Sequence, residues 1–307
     1  MSRRLSLRAL RLDAVQTRKQ RLLVAATRHD IAAEGLVLPA DGMVPNGDAP
    51  AIHYLEWPGP VHTPEILMLH GGGLHAHTFD LVGNLLRPYA RCIAMDLRGH
   101  GDSEWAERGQ YSAQAIADDV DAVVDALNLE RVVVVGHSLG GIGAMAWAAR
   151  NRPAAAGLAV LDVAPAVNRT GTGSVHALIT ANPTFADMDE VDDFLAQRSP
   201  SRVAGGDTTA ANLRWNDHGR LTFKYDTAQF TEIEVPLGDD LRALASRIRC
   251  PTTVLRGERS PILGIDGAIE LASLIPGATW AQVPDAGHTI QSSNPAGLAA
   301  EILRLLR

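Results

Sequence analysis

Two cysteines in 307 residues rule out a disulfide framework as the basis of the fold, and Cys92 and Cys250 share no metal-ligand or redox-motif spacing. A reducing compartment, the cytoplasm, is the expectation. Long apolar runs are missing too. The longest are strand-length, and Arg or Asp interrupts every longer one, which excludes a membrane-spanning helix. No uninterrupted apolar stretch follows the N-terminal arginines, so a secretory signal is disfavoured. There is no internal repeat, no low-complexity tract and no basic stripe. The formal charge is −7; because residues 1–28 hold seven Arg and one Lys against Asp13 alone, the remainder carries about −14. An acidic body of this kind argues against nucleic acid as a partner.

With 46% apolar and 21% charged residues, the chain can bury a sizeable core. One large domain carrying an inserted piece is expected. Residues 1–34 are read as an Arg-rich helical extension in which Leu5, Leu12, Val15, Leu22 and Leu23 form an apolar stripe; the Ser and Arg content leaves a transit-type segment as the alternative. Turn signals at Asp41-Gly42, Pro45-Asn46-Gly47 and Pro58-Gly59-Pro60 leave room for a hairpin of two short strands at Gly35–Leu38 and Ala51–Trp57. Strand and helix patterns then alternate: strands at Ile66–Leu69, Cys92–Asp96, Val132–Val135 and Leu158–Val163, with helices near Phe79–Leu86, Ala113–Leu127 and Ile142–Arg150. The alternation resumes with strands at Thr252–Arg256 and Thr279–Val283 and helices around Ala268–Ile275 and Ala296–Leu306. Alternation of this kind predicts an α/β fold, a mostly parallel central sheet flanked by helices. Its core spans 35–164 and 246–307. The interruption at 165–245 is too long for a structureless loop and predicts a helical cap over the site.

The most informative stretch is Gly136-His137-Ser138-Leu139-Gly140-Gly141, placed between the β-branched run Val132–Val135 and an Ala-rich helical pattern. A G-x-S-x-G in that setting is a nucleophile elbow. The strained corner pushes the hydroxyl of Ser138 out of the sheet, and the free N–H groups of the following helix face the same spot. His70-Gly71-Gly72-Gly73 follows another apolar strand, and its glycines let backbone approach a substrate carbonyl. The expected oxyanion donors are the N–H groups of Leu139 and Gly72, with Gly73 as the alternative. A phosphate-binding role is weak, since no G-K-[ST] follows.

A base is needed, and among eleven histidines the candidate is His288 in Asp285-Ala286-Gly287-His288, because the loop after the last strand opens on the same sheet edge as Ser138. His100 is read as a turn residue and His137 as pointing away from the nucleophile. His70, His75 and His77 are close enough in sequence to suggest a metal site, but a Gly-rich loop gives them no fixed geometry, and no metal is expected.

These motifs resemble those of the α/β-hydrolase superfamily, from about Ala51 to the C-terminus. Four signatures occur in the family's order: His70-Gly71-Gly72-Gly73, Asp96-Leu97-Arg98-Gly99-His100-Gly101, the elbow at Ser138, and Asp285-Ala286-Gly287-His288. In one respect the chain departs from the commonest pattern: Ser260 stands where that pattern has the triad acid. The resemblance to cap-bearing members that take the acid from the end of strand six implies Asp162, 24 residues after Ser138. Glu258 and Asp266 are the competitors, and a structural role for Asp162 at an Asp-x-x-Pro corner is the bland alternative.

Ser138 as nucleophile, His288 as base and Asp162 as its partner imply an acyl-enzyme route needing no cofactor. The expected activity is hydrolysis of a carboxylic ester or lactone of a small to medium substrate. A thioesterase or amide hydrolase, a carbon–carbon bond hydrolase, and a ligand sensor that retains the fold stay open as alternatives. Besides Gly73, the aromatic residues Trp215, Phe223 and Tyr225 are candidates for the substrate pocket, with the cap's own core as the competing role. The oligomeric state is open, a homo-oligomer included.

Overall fold

Runs such as Val132–Val135 are apolar at every position because the strand they form is covered on both faces. The computed structural model describes residues 17–60, 63–167, 173, 176–177, 179–181, 183–198, 209–227, 229–230 and 238–306. Its central strands are β1 (Ala40–Asn46), β2 (Ala49–Trp57), β3 (Glu65–Leu69), β4 (Cys92–Met95), β5 (Val132–His137) and β6 (Ala155–Leu161). A segment containing β7 (Thr184–Phe185), β8 (Leu213–Trp215) and β9 (Leu221–Phe223) follows, before β10 (Thr252–Gly257) and β11 (Thr279–Val283) return to the sheet. The eight central strands lie in the order β1-β2-β4-β3-β5-β6-β10-β11. β2 pairs antiparallel with β1 and β4, and every other neighbour is parallel.

The helices are α1 over residues 17–28, then α2 (Asp80–Leu86), α3 (Ala113–Ala126), α4 (Leu139–Ala148), α5 (Met188–Arg198), α6 (Asp239–Ala245), α7 (Ile265–Leu274), α8 (Ile290–Ser293) and α9 (Pro295–Leu305). Successive side chains of a strand point to opposite faces. Val132 and Val134 therefore join the core beneath α3, α4, α6 and α7, while Val133 and Val135 join the one beneath α2 and α9. Burying each such side chain contributes about 1.5–3 kcal/mol, which fixes β5 in the middle of the sheet. All ten residues of α4 are buried, and its Gly and Ala content lets it lie close on that strand. Helix starts follow the capping rules: Ser112 accepts the N–H of Ala115 at α3, and Asn294 accepts that of Gly297 at α9 with Pro295 next.

The first strand differs from the sequence expectation of Gly35–Leu38: the pairing begins at Ala40, and the turn is Gly47-Asp48. Asp41-Gly42, expected as a turn, lies inside β1. The glycine leaves room for the ring of Tyr54 on β2, which a Cβ would approach to 2.2 Å. Pro45, which cannot donate to the ladder, falls at an irregularity in the register between Val44 and Asn46.

Of the expected N-terminal stripe, Leu22 is buried with Ala26 against Leu81 of α2, and Leu23 is half-buried. Leu5, Leu12 and Val15 lie outside the described residues. Arg18 of α1 pairs with Asp41 at 3.1 Å. Cys92 and Cys250 are unbridged and buried, and no described helix is long and apolar enough to cross a membrane.

The segment inserted between β6 and β10 has its own small antiparallel sheet, β7-β9-β8, around an apolar cluster that includes Phe185, Val191, Leu195 and Phe223. Backbone bonds join it to the loop after β4: Gly101 N–H donates to Lys224 O at 2.7 Å and Asp226 N–H to Gly99 O at 2.8 Å. That loop is itself anchored by the buried Arg98–Asp119 ion pair, 2.6 Å, on α3.

Candidate active site

At the end of β5, Ser138 adopts φ 51°, ψ −115°, a left-handed conformation rare for a residue with a side chain. Its N–H donates to Leu161 O of β6 at 3.0 Å, fixing the corner to the neighbouring strand. Two residues on, a Cβ on Gly140 would meet His70 O at 2.4 Å, and the Gly140 N–H instead donates to that carbonyl at 3.1 Å. The sequence G-x-S-x-G thus brings the start of α4 against the loop after β3.

That loop is fixed by histidines. Burial keeps the His70 imidazole below its ordinary pKa; its Nδ1 meets Gly71 O at 2.8 Å, and its Nε2 accepts Leu97 N–H at 3.1 Å. His100 is pushed down to about 3 by burial, with His70 adding to the effect, so it is neutral and its Nε2 accepts the N–H of Gly73 at 3.0 Å. Asn212 of the inserted segment holds the other side of that residue, donating to Gly73 O at 2.9 Å. The Gly73 N–H is therefore occupied. The Gly72 N–H has no acceptor among the described residues, and the Leu139 N–H, first in its helix, has no intrahelical partner.

His288 lies on the loop after β11, with Nδ1 2.7 Å from Oδ2 of Asp162. Asp162 follows β6 at φ 54°, is fully buried, and accepts the Gly257 N–H on Oδ1 at 2.9 Å. Ser260 Oγ donates to the same Oδ2 as the imidazole. Glu258 is elsewhere, accepting the N–H of Asp285 at 2.9 Å, and Asp266 is exposed in the first turn of α7. Ser138 Oγ and the His288 imidazole share no hydrogen bond among the described residues.

His137 is tucked behind His288, its ring centroid 4.7 Å from that of the other imidazole. Burial, reinforced by the nearby His288, holds it well below its ordinary pKa. Neutral, it donates from Nε2 to His288 O at 2.9 Å, while Nδ1 accepts from Gln291 Nε2 at 3.2 Å. Sequence reasoning missed Gln291 because α8 is only one turn long. His100 was visible in the Arg-Gly-His-Gly signature, but its bond to Gly73 crosses between loops and leaves no local pattern.

The pocket candidates separate. Gly73 sits under Ile179, whose Cγ1 would lie 3.0 Å from a Cβ there, and Phe230 covers Gly72 in the same way at 2.9 Å. Tyr225 is 6.1 Å from Phe230 and 6.3 Å from His100 by ring centroids, so it borders this region. Phe223 stacks on Tyr225 inside the inserted segment's own core. Trp215 is 62% exposed and is not brought to the site. Composition alone could not separate a pocket wall from a small domain's core.

The three clustered histidines do not form a donor set. His70 is engaged as described, and His77 bonds Asp80 at 3.0 Å and Arg18 at 3.0 Å. Among the described residues, His53, Asp96 and Asp102 come close enough to hold an ion, but Asp96 already accepts from His53 Nδ1, Ala76 N–H and Asp102 N–H at 2.7, 2.6 and 2.9 Å. Burial opposes charge on His53, yet hydrogen bonds to Asp41 and Asp96 outweigh it and raise the imidazole to about 9. This buried imidazolium ties β1, β2 and the loops after β3 and β4 together.

The sequence pattern of the alpha/beta hydrolase family matches residues 66–301. The chain is 31% identical to esterase Rv0045c of Mycobacterium tuberculosis over 83% of this chain and 86% of that protein. It is 33% identical to the pimeloyl-(acyl-carrier protein) methyl ester esterase of Chromobacterium violaceum over 73% of this chain and 87% of that protein. The crystal structure of an alpha/beta hydrolase from Novosphingobium aromaticivorans superposes with a TM-score of 0.77 at 26% identity, covering 89% of this chain and 99% of the other. A match that runs from β3 into α9, with relatives aligned over most of their own length, agrees with the sheet order and the corner at Ser138: the chain belongs to the alpha/beta hydrolase family.

Proposed function

We propose that the protein is a serine hydrolase that cleaves a carboxylic ester, lactones included, of a small to medium acyl compound. The observation that carries this reading is the 2.7 Å contact between His288 Nδ1 and the buried Asp162 beside the left-handed Ser138. Two esterases among the relatives support the bond type. In this mechanism His288 Nε2 takes the proton of Ser138 as Oγ attacks the acyl carbon, and Asp162 stabilises the imidazolium that forms. The oxyanion accepts hydrogen bonds from the Gly72 N–H, which has no acceptor among the described residues, and from the Leu139 N–H at the first position of its helix. His288 then protonates the departing alkoxide, and water, activated by the same base, releases the acid.

Residues 165–245 act in this reading as the cap that closes over the bound acyl group. Ile179 and Phe230 above Gly73 and Gly72, together with Asn212 on Gly73 O, support that role. Residues 1–34 are an extension outside the catalytic machinery, and the unbridged thiols fit a reducing compartment. The test is a multiple-turnover screen of p-nitrophenyl esters of increasing chain length beside lactone, thioester and anilide panels. Saturable turnover of esters or lactones is expected. Single-turnover acylation without release would point to a sensor instead, and turnover confined to thioesters or anilides would move the bond type.

A further inference from the structure

Beyond the residues given roles above, one side chain has its hydrogen bonding fixed in every direction. Ser260 Oγ accepts the N–H of Ile262 at 3.1 Å and that of Leu263 at 3.2 Å. A hydroxyl has two acceptor lone pairs and one proton, so with both lone pairs used the proton has a single destination, Oδ2 of Asp162. The segment is itself anchored, since the Ser260 N–H donates to Gly257 O at 3.0 Å and the Gly257 N–H donates to the other oxygen of the same carboxylate. A turn of four residues thus presents two donors to a carboxylate that has no contact with solvent.

We infer that Ser260 is a positioning residue for the Asp162–His288 pair: it occupies the place where an acid would otherwise stand, and its hydroxyl shares the charge of the oxygen that holds the imidazole. This rests on the proposed role of Asp162 and His288. Two consequences follow from the geometry. The hydrogen bond that Ser260 donates to Oδ2 takes up part of that oxygen's charge and so weakens its hold on the imidazolium. And because Ser260 is one hydrogen bond from the oxygen that meets Nδ1, the acid and neutral members of the pair are exchangeable: a carboxylate at 260 and an amide at 162 preserve a donor–acceptor contact between the two sites and leave an acceptor in reach of Nδ1.

Among the described residues, the titratable groups in contact with His288 are Asp162 after β6 and His137 at the end of β5. Of these, the Ser260 hydroxyl touches only Asp162.

The experiment is an NMR titration of the His288 ring in protein labelled at histidine, on wild type, Ser260→Ala, Ser260→Cys and Ser260→Thr. The Cys variant keeps the side-chain volume with a weak donor and serves if the Ala variant, which leaves two N–H groups unpaired, fails to fold. The His288 midpoint should rise by about 0.5–1 unit in the Ala and Cys variants and stay at the wild-type value in Thr, which restores the hydroxyl. Ala and Cys midpoints indistinguishable from wild type would overturn the proposal. The exchange variant Asp162→Asn/Ser260→Asp should recover at least ~10-fold of the ester hydrolysis lost in Asp162→Asn alone; no recovery would refute the exchangeability. Phosphonate labelling of the same samples separates the two levels. A shift in the titration without labelling of Ser138 would remove the proposed function while leaving the hold of Ser260 on the pair intact.

Discussion

Asp162→Asn is the substitution whose effect the structure specifies most fully. The backbone at 162 has φ 54°, a region asparagine tolerates, so the corner is preserved. The carboxylate accepts from three donors: Gly257 N–H on Oδ1, and Ser260 Oγ–H and His288 Nδ1–H on Oδ2. An amide has one acceptor oxygen, and the Gly257 N–H, a fixed backbone donor, claims it. The NH2 group then faces Nδ1, which must become an acceptor, and the ring proton moves to Nε2. The proposed base is left in a tautomer that cannot take the proton of Ser138. In other serine hydrolases a change of this kind costs up to ~10⁴ in kcat, about 5 kcal/mol at 1.36 kcal/mol per decade. The assay is kcat on a p-nitrophenyl ester at saturating substrate and pH 8, with the thermal midpoint as the folding control. Glu258→Gln, which loses only a bond to Asp285 N–H, should cost less than about tenfold. More than a tenth of wild-type kcat in Asp162→Asn, or an equal loss in Glu258→Gln, would refute the assignment.

Two further outcomes follow from the surrounding framework. His53 is raised from 6.5 to about 9, so its contribution to stability is fully present below pH 6.5 and is lost as pH rises through 9; comparing wild type with His53→Gln in urea unfolding at pH 6 and pH 9.5 should show about 1–3 kcal/mol of extra pH dependence in wild type, and parallel curves would refute it. Deleting residues 1–28 should leave kcat within about threefold, since no proposed catalytic group lies there, yet lower the melting temperature because Leu22 and Ala26 lose their seat on Leu81; an unchanged melting curve would contradict the docking of α1.

Legibility in the sequence followed how local each cause was. β3, β4 and β5 were readable because strands covered on both faces are apolar at most positions, and Ser138 was readable because the elbow needs its glycines within two residues. The first strand was misplaced because Gly42 looks like a turn residue, when its reason is a ring on the paired strand twelve residues away. Ser260 was noticed only as a missing acid; that its hydroxyl faces Asp162 depends on two strands meeting at β6 and β10. The same holds for His100 and Asn212 on either side of Gly73, and for Gln291 behind His137. Trp215, Phe223 and Tyr225 could not be sorted in advance, because an aromatic residue in an inserted segment serves its own small core as readily as a substrate pocket.

The central claim is that Ser138 is the nucleophile of a working hydrolase. Its most direct test is treatment of wild type and Ser138→Ala with a serine-directed fluorophosphonate, followed by peptide mapping and ester turnover on the same samples. One adduct per chain on Ser138, loss of activity in proportion to labelling, and a fall of ~10³-fold or more in the unlabelled Ala variant are expected. An adduct on another residue, or near-normal turnover by Ser138→Ala, would contradict the account.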